Sequence, residues 1–441
     1  MLEIDISIGL ITILFFGSLM VSLFLGVPLA FALGGVAVLF TILFWGPASL
    51  HMVASKFWGS MRSVILVALP MFILMGATLA RSGIAEDLYQ MAYLWIGRIA
   101  GGLAMGTVGI CTLFAAMTGS SAPATVTMGL ITLPSMLKRK YSPTIAIGSI
   151  AAGGALGILI PPSISMIVFS AFTGVSVGQM FIGGIFPGLL LSTLFIIYIA
   201  ITCRVRPRLG PPIPLEEKTS LRQKLISLRA VILPIILIIS VLGSIYTGIA
   251  TPTEASSVGA AGALIIAAIY RKLNRVVVWD IVKEAARLTT LAMWIIAAGL
   301  VFAATYQAIG AGHLIMEMLE GLPLGRWGIL IIMQLTFFVL GMLMDPIAII
   351  FITMPVYFPI ILHLGFDPLW FGVVFIVNME MAFLTPPFGF NLFFLRAVTP
   401  KEISMGQIYR ACLPFIAVQA LGLVLVILFP QIILWLPSTM I

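Results

Sequence analysis

The residues of this chain that could do chemistry lie where its apolar sequence is interrupted. GALGILIPPSIS at 154–165 carries Pro161 and Pro162, and MAFLTPPFGFNL at 381–392 carries Pro386 and Pro387. Each follows an earlier interruption, GSSAPAT at 119–125 and LMDPIAI at 343–349; Pro123 precedes Pro161 by 38 positions and Pro346 precedes Pro386 by 40. Proline removes a backbone donor and stops a helix, which frees the carbonyls just upstream. In hydrocarbon each unpaired backbone group costs several kcal/mol, so a break persists only where protein covers it or something binds there. Breaks recurring at corresponding places in two halves are the sequence mark of a transporter's binding site.

The oxygen atoms at these breaks suit a hard monovalent cation, Na⁺, and no His/Cys/carboxylate cluster suggests a transition metal. One Na⁺ site is expected between the Ser120 and Ser121 hydroxyls and the carbonyls from Gly157 to Ile160. A second is expected between Met344 and Asp345 and the carbonyls of Phe383 and Leu384. Helix N-termini near 123 and 346 aim positive dipole ends at the same plane, where an anion would be held. Thr125, Ser163, Thr385, Pro386 and Asn391 are placed to line that substrate. A carboxylate at mid-bilayer costs at least about 2.5 kcal/mol, which marks Asp345 as ligand or gate. Glu380 reads either as a structural carboxylate or as a further ion or proton site. Thr251, Pro252, Thr253 and Glu254 read as a helix start, Cys111, Cys203 and Cys412 as packing residues, and His51, His313 and His363 as interfacial residues.

The elements that must position these residues are membrane helices. Hydrophobic residues make up 61% of the 441 and charged ones 9%, with a mean hydropathy of +1.21; soluble domains are roughly 25% charged. The bilayer is therefore the solvent, and no cleavable secretion signal is expected ahead of the first span. The net charge of +8 sits in short loops, around 138–140, 204–229 and 271–287. That is cytoplasmic placement under the positive-inside rule and excludes a nucleic-acid groove.

With those clusters inside, spans follow at about 6–25, 28–46 and 62–80, then an amphipathic stretch at 84–98. Residues 103–137 form one apolar run whose two ends both want the cytoplasm. A 35-residue helix would be about 52 Å long against a core of about 30 Å, so the run folds back at 119–123 as a re-entrant hairpin. Spans 143–172 and 183–203 complete the first half, residues 1–225. The second half, 226–441, repeats this inverted: spans 230–248 and 253–270, an amphipathic stretch 273–287, a span 288–309, and a polar external segment 313–326. A hairpin at 327–362 then opens from outside, followed by spans 369–398 and 408–436. The expected fold is an all-α polytopic membrane protein of about ten transmembrane helices and two opposed re-entrant hairpins. On this threading all of the 23 Lys and Arg except Lys56, Arg62 and Arg326 lie inside.

The strings GSSAPATVTMG (119–129), KRKYSP, GGALGILIPPS (153–163), GMLMDPIAIIFITMPVYFPI (341–360), LGFDPLWFG (364–372) and LTPPFGFNLF (384–393) span most of the chain. Together they resemble the large membrane subunit, DctM type, of tripartite ATP-independent periplasmic (TRAP) transporters. Ala382 stands where that family often has Gly. The resemblance implies an elevator-type transporter of the bacterial inner membrane, with a fixed scaffold and a moving unit, driven by a Na⁺ gradient. It implies a small four-helix membrane partner (DctQ type) and a periplasmic substrate-binding protein (DctP type). It also implies an organic-acid cargo such as a C4-dicarboxylate or sialic acid, and no cofactor beyond Na⁺. With nothing ahead of the first span, the small partner is expected as a separate chain. The absence of a GxxxxGK[ST] string agrees with ion rather than ATP drive. A stand-alone Na⁺- or H⁺-coupled symporter is the alternative. An intramembrane enzyme is disfavoured, since no HExxH, GxSxG or Asp pair lies within the spans.

Overall fold

The computed structural model describes residues 7–213, 220–310 and 325–440, and all regular elements among them are helical. The residues read as external at 313–324, His313 among them, lie outside this set. Helices α1 (Ile8–Phe24) and α2 (Leu29–Trp45) turn at Gly26, whose φ of +80° suits glycine alone among the common residues. The segment Pro47–Met61, most of it α3 (Leu50–Met61), meets α4 (Val64–Ala80) at a 54° bend. In α5 (Ile84–Ile96), Ile84, Ala85, Leu88, Tyr89 and Ala92 form one buried stripe against α6, with Glu86 and Asp87 in its first turn. The expected amphipathic stretch is therefore a packed helix.

Helices α6 (Gly102–Thr118) and α7 (Ser121–Lys138) pack together as the first hairpin. The first broken span is α8 (Pro143–Ala155), a short turn Leu156–Ile158, an extended stretch, and α9 (Ile164–Thr173). Helix α10 (Val177–Val205) closes that half. The letters GVSVG at 174–178 match the GxSxG pattern outside the spans, but Ser176 caps α10, accepting from the Gln179 backbone N–H.

In the second half, α11 (Leu221–Tyr246) is followed by α12 (Pro252–Ile269), which starts at a capping box. Thr251 Oγ1 accepts from Glu254 N–H, and Glu254 Oε2 accepts from Thr251 N–H at 2.8 Å. Next, α13 (Arg275–Ala308) runs unbroken for 34 residues, about 51 Å. The sequence reading split this segment into an amphipathic stretch and a span. Its first glycine is Gly299 and it holds no proline, so nothing ends the helix between them.

The second hairpin is α14 (Arg326–Gly341) with α15 (Pro346–His363); the second broken span is α16 (Pro368–Phe383) with α17 (Phe390–Val398); and α18 (Met405–Leu428) follows. Among the described residues six helices are long and apolar enough to cross a membrane alone, namely α10 to α13, α15 and α18. The chain is thus a multi-pass membrane protein. Hairpin arms of 16 to 18 residues measure about 24–27 Å.

The helices that lead into the two breaks, α8 and α16, are the most deeply packed. Every residue of α8 from Ile145 on and every residue of α16 from Leu369 on is buried. Around α16 pack α9, α10, α14, α15 and α18, while α4, α12, α13 and α2 form a second connected set.

Candidate substrate and ion site

Both hairpin tips and both breaks face one cavity of about 360 Å³. Thr118, Gly119, Ser120 and Ser121 come from the first tip, and Ile158, Ile164 and Ser165 from the first break. Asp345 and Ile347 come from the second tip, and Phe383 and Phe390 from the second break. Helix α4 closes one wall with Ile73, Gly76 and Ala77, and α13 another with Glu284, Leu288, Leu291, Ala292 and Ile295.

The first tip and first break cross backbone to backbone. Gly119 has φ +64°, and a Cβ there would lie 2.3 Å from the Pro162 carbonyl oxygen. A Cβ on Gly157 would lie 2.5 Å from the Ser120 carbonyl oxygen, and one on Gly76 2.7 Å from that of Thr118. Glycine is thus required where the tip, the break and α4 converge. Thr118 donates its hydroxyl to the Phe114 carbonyl at 2.9 Å and, more weakly, to that of Ser120 at 3.3 Å. Neither the Ser120 nor the Ser121 hydroxyl has a hydrogen-bond partner among the described residues, so both remain open to a ligand. Ile160 turns away; its side chain packs on Gly188.

At the second tip Asp345 is the N-cap of α15, its Oδ1 accepting from the Ile347 backbone N–H at 2.9 Å. That bond uses one carboxylate oxygen, and the residue lines the cavity. The tip joins the second break through Gly389 N–H donating to the Met342 carbonyl at 3.3 Å. A Cβ on Gly341 would stand 2.5 Å from the Ala382 methyl, so α14 and α16 meet at two small residues. Met344 and Leu384 do not line the cavity, and their backbone N–H groups donate to Leu340 and Met381.

Three residues expected to line the substrate hold the fold together instead. Asn391 accepts from the Thr125 hydroxyl at 2.7 Å and donates to the Ala151 carbonyl at 2.6 Å, tying α17 to α7 and α8; Thr125 and Asn391 are both fully buried. Ser163 caps α9, accepting from Met166 N–H while donating to the Ile158 carbonyl at 2.5 Å. Thr385 donates to the Met381 carbonyl at 2.9 Å but is, like Pro386, only half-buried.

Sequence reasoning missed the two helical walls. Glu284 lines the cavity while ion-paired with Arg81 at the end of α4, so a cation does stand at the rim. The spacing 284, 288, 291, 292, 295 along α13 is a one-face helical stripe that would have found it. A second cavity, about 630 Å³, lies between the same helices nearer the α3–α4 bend. Lys56, Ser63, Gln307, Phe172 and Phe358 line it.

The family model for the tripartite ATP-independent periplasmic transporter, DctM component, matches residues 16–432. A C4-dicarboxylate TRAP transporter large permease protein from Pseudomonas aeruginosa is 37% identical over 405 residues, covering 92% of this chain and 93% of that one. An isethionate TRAP transporter permease protein from Oleidesulfovibrio alaskensis is 32% identical, covering 95% of this chain and 65% of that protein. Among solved structures, the YdaH transporter of Alcanivorax borkumensis superposes with a TM-score of 0.60 at 15% identity, over 92% of this chain and 98% of that one. At that identity the likeness concerns the fold alone.

Proposed function

The chain belongs to the DctM family of TRAP transporter large permeases, and from that premise we propose that it carries an organic anion inward by Na⁺-coupled elevator transport. As a large permease it is a membrane transport component and not an enzyme. The observation that carries the proposal is the convergence of two hairpin tips and the residues flanking two broken spans on one cavity.

In this reading one Na⁺ binds at Ser120 and Ser121 beside the crossing with Gly157, and another at Asp345 near Phe383. The N-termini of α7 and α15 hold the anion between them. Cation binding offsets the anion's charge, so the loaded unit moves past α4 and α13 without presenting net charge to a low-dielectric barrier. Under the charge map, the Glu284 cavity faces the cytoplasm and the Lys56 cavity faces out. They flank the same helical walls, as the two end positions of one sliding unit would require. The Arg81–Glu284 pair keeps the inner mouth from repelling an anion.

The partners are a small membrane subunit of DctQ type and a DctP-type binding protein in the periplasm, with the complex in the inner membrane. The relatives carry a C4-dicarboxylate in one case and isethionate in the other, both organic anions. Reconstitution with both partners in proteoliposomes tests the reading. Uptake is expected only with an inward Na⁺ gradient and the binding protein present. Uptake that persists without Na⁺ overturns the coupling, and uptake without the binding protein makes the chain a stand-alone symporter.

A further inference from the structure

Glu380 lies in α16, one turn before the second break, and is fully buried. Neither of its carboxyl oxygens makes a hydrogen bond of regular geometry among the described residues. Gln419 of α18 is set against it, also fully buried and within reach of the carboxyl group, and neither polar atom of its amide completes a regular hydrogen bond. An ionised carboxylate left this way would carry an uncompensated charge in a membrane interior, at a cost of several kcal/mol.

Among the described residues no ion pair reaches it. The other charged groups on α16 and the helices packed around it stand at helix ends or beyond the break: Asp367 caps α16, Arg326 opens α14, Asp345 caps α15 and His363 closes it, Arg204 ends α10, and Arg396 lies in α17. Arg410 of α18 is nine residues from Gln419, about 13 Å along the axis. The other titratable groups on these helices are engaged elsewhere. Tyr357 stands beside Thr336, Tyr198 beside Thr202, and Tyr409 donates to the Pro387 carbonyl. Cys412 is seven residues from Gln419, about 10 Å, and Cys203 packs at the Gly101 turn.

We propose that Glu380 and Gln419 form a proton-binding site in which one proton converts the carboxylate to a neutral acid. The Glu380 O–H donates to Gln419 Oε1, and Gln419 Nε2–H donates to the other Glu380 oxygen. A single proton thereby satisfies four buried atoms, joins α16 to α18, and removes a charge that the second broken span would otherwise carry through the bilayer. The proton stays bound at physiological pH and takes no part in coupling. Asn378, two residues earlier on α16, donates to the Gln334 carbonyl at 2.7 Å and so ties the same helix to α14.

Infrared difference spectra of the purified complex, wild type against Glu380→Gln, test the site directly and do not depend on the transport reading. A deuterium-sensitive protonated-carboxyl C=O band is expected in wild type at neutral pH and absent from the variant. Loss of a carboxylate band instead would overturn the proposal. In proteoliposomes Glu380→Gln should retain at least half of wild-type uptake with an unchanged pH profile, whereas Glu380→Ala and Gln419→Leu fall at least tenfold. Abolished uptake in Glu380→Gln, with the complex still assembled by size exclusion, would also overturn it by showing that the group must ionise.

Discussion

The two halves of this molecule use the same break pattern and pack it differently. In the first half every residue from Gly154 to Ser163 is buried, and Gly119, Gly157 and Gly76 let tip, break and α4 touch at backbone distance. In the second half Thr385 and Pro386 are half-buried and Pro387 and Phe388 are exposed, Phe388 to 51%. Its polar contribution is a side chain, Asp345, where the first tip offers paired hydroxyls. A Pro–Pro break thus makes a closed joint in one half and an open one in the other. What differs is the neighbour: α4 lies across the first break, whereas the second meets Tyr409 and the short α17. The closed joint fixes geometry, and the open one has room to respond to a ligand.

The sharpest way to break this comparison is a methyl group at each crossing. Gly119→Ala adds a Cβ 2.3 Å from a backbone oxygen at φ +64°, so uptake should fall at least 100-fold. Gly389→Ala also has a positive φ, +54°, but its nearest backbone atom is 3.0 Å away and its closest contact is the flexible end of Leu392. About 1–2 kcal/mol of backbone strain predicts roughly a tenfold loss there. Equal losses would erase the distinction between the joints.

Asp345→Asn keeps the N-cap, since Asn caps as well as Asp, and removes only charge. The Na⁺ concentration for half-maximal uptake should rise about tenfold with thermal stability unchanged. An unaltered Na⁺ dependence would reduce Asp345 to a cap.

Breaking the Thr125–Asn391–Ala151 tie separates structure from binding. Asn391→Leu leaves a buried carbonyl and hydroxyl unpaired, a loss of about 1–3 kcal/mol each. The melting temperature should drop by several degrees while the substrate KM of the surviving protein changes less than twofold. A large KM change at full stability would return these residues to the substrate site. The smallest effect is expected from Glu284→Gln. The ion pair is about one-third exposed on each side and contributes on the order of 0–1 kcal/mol, so apparent substrate affinity should shift no more than about fivefold, measured by uptake titration.

Periodicity was sufficient to expect the helix pairs α6–α7 and α14–α15, because a single helix over 103–137 or 327–362 would be more than about 50 Å long against a bilayer core of about 30 Å. The breaks also sufficed to single out Ser120, Ser121, Asp345 and Phe383, which do face one cavity. Thr125, Ser163 and Asn391 bond to neighbouring groups of the chain and do not line this cavity; in sequence, a hydroxyl or amide beside a break looks alike whether it meets a ligand or a neighbouring carbonyl. Glu284 and Arg81 were missed because they lie far from any break.

Composition, charge asymmetry and paired prolines by themselves determined a multi-pass membrane protein with two matched pairs of breaks, since bilayer thickness and backbone hydrogen bonding leave few other readings of such a chain. Only the tertiary structure decided which oxygens stay open, which are spent as ties, and which scaffold helices wall the cavity. Those outcomes depend on distances between residues hundreds of positions apart, as between Thr125 and Asn391, and no local pattern encodes them.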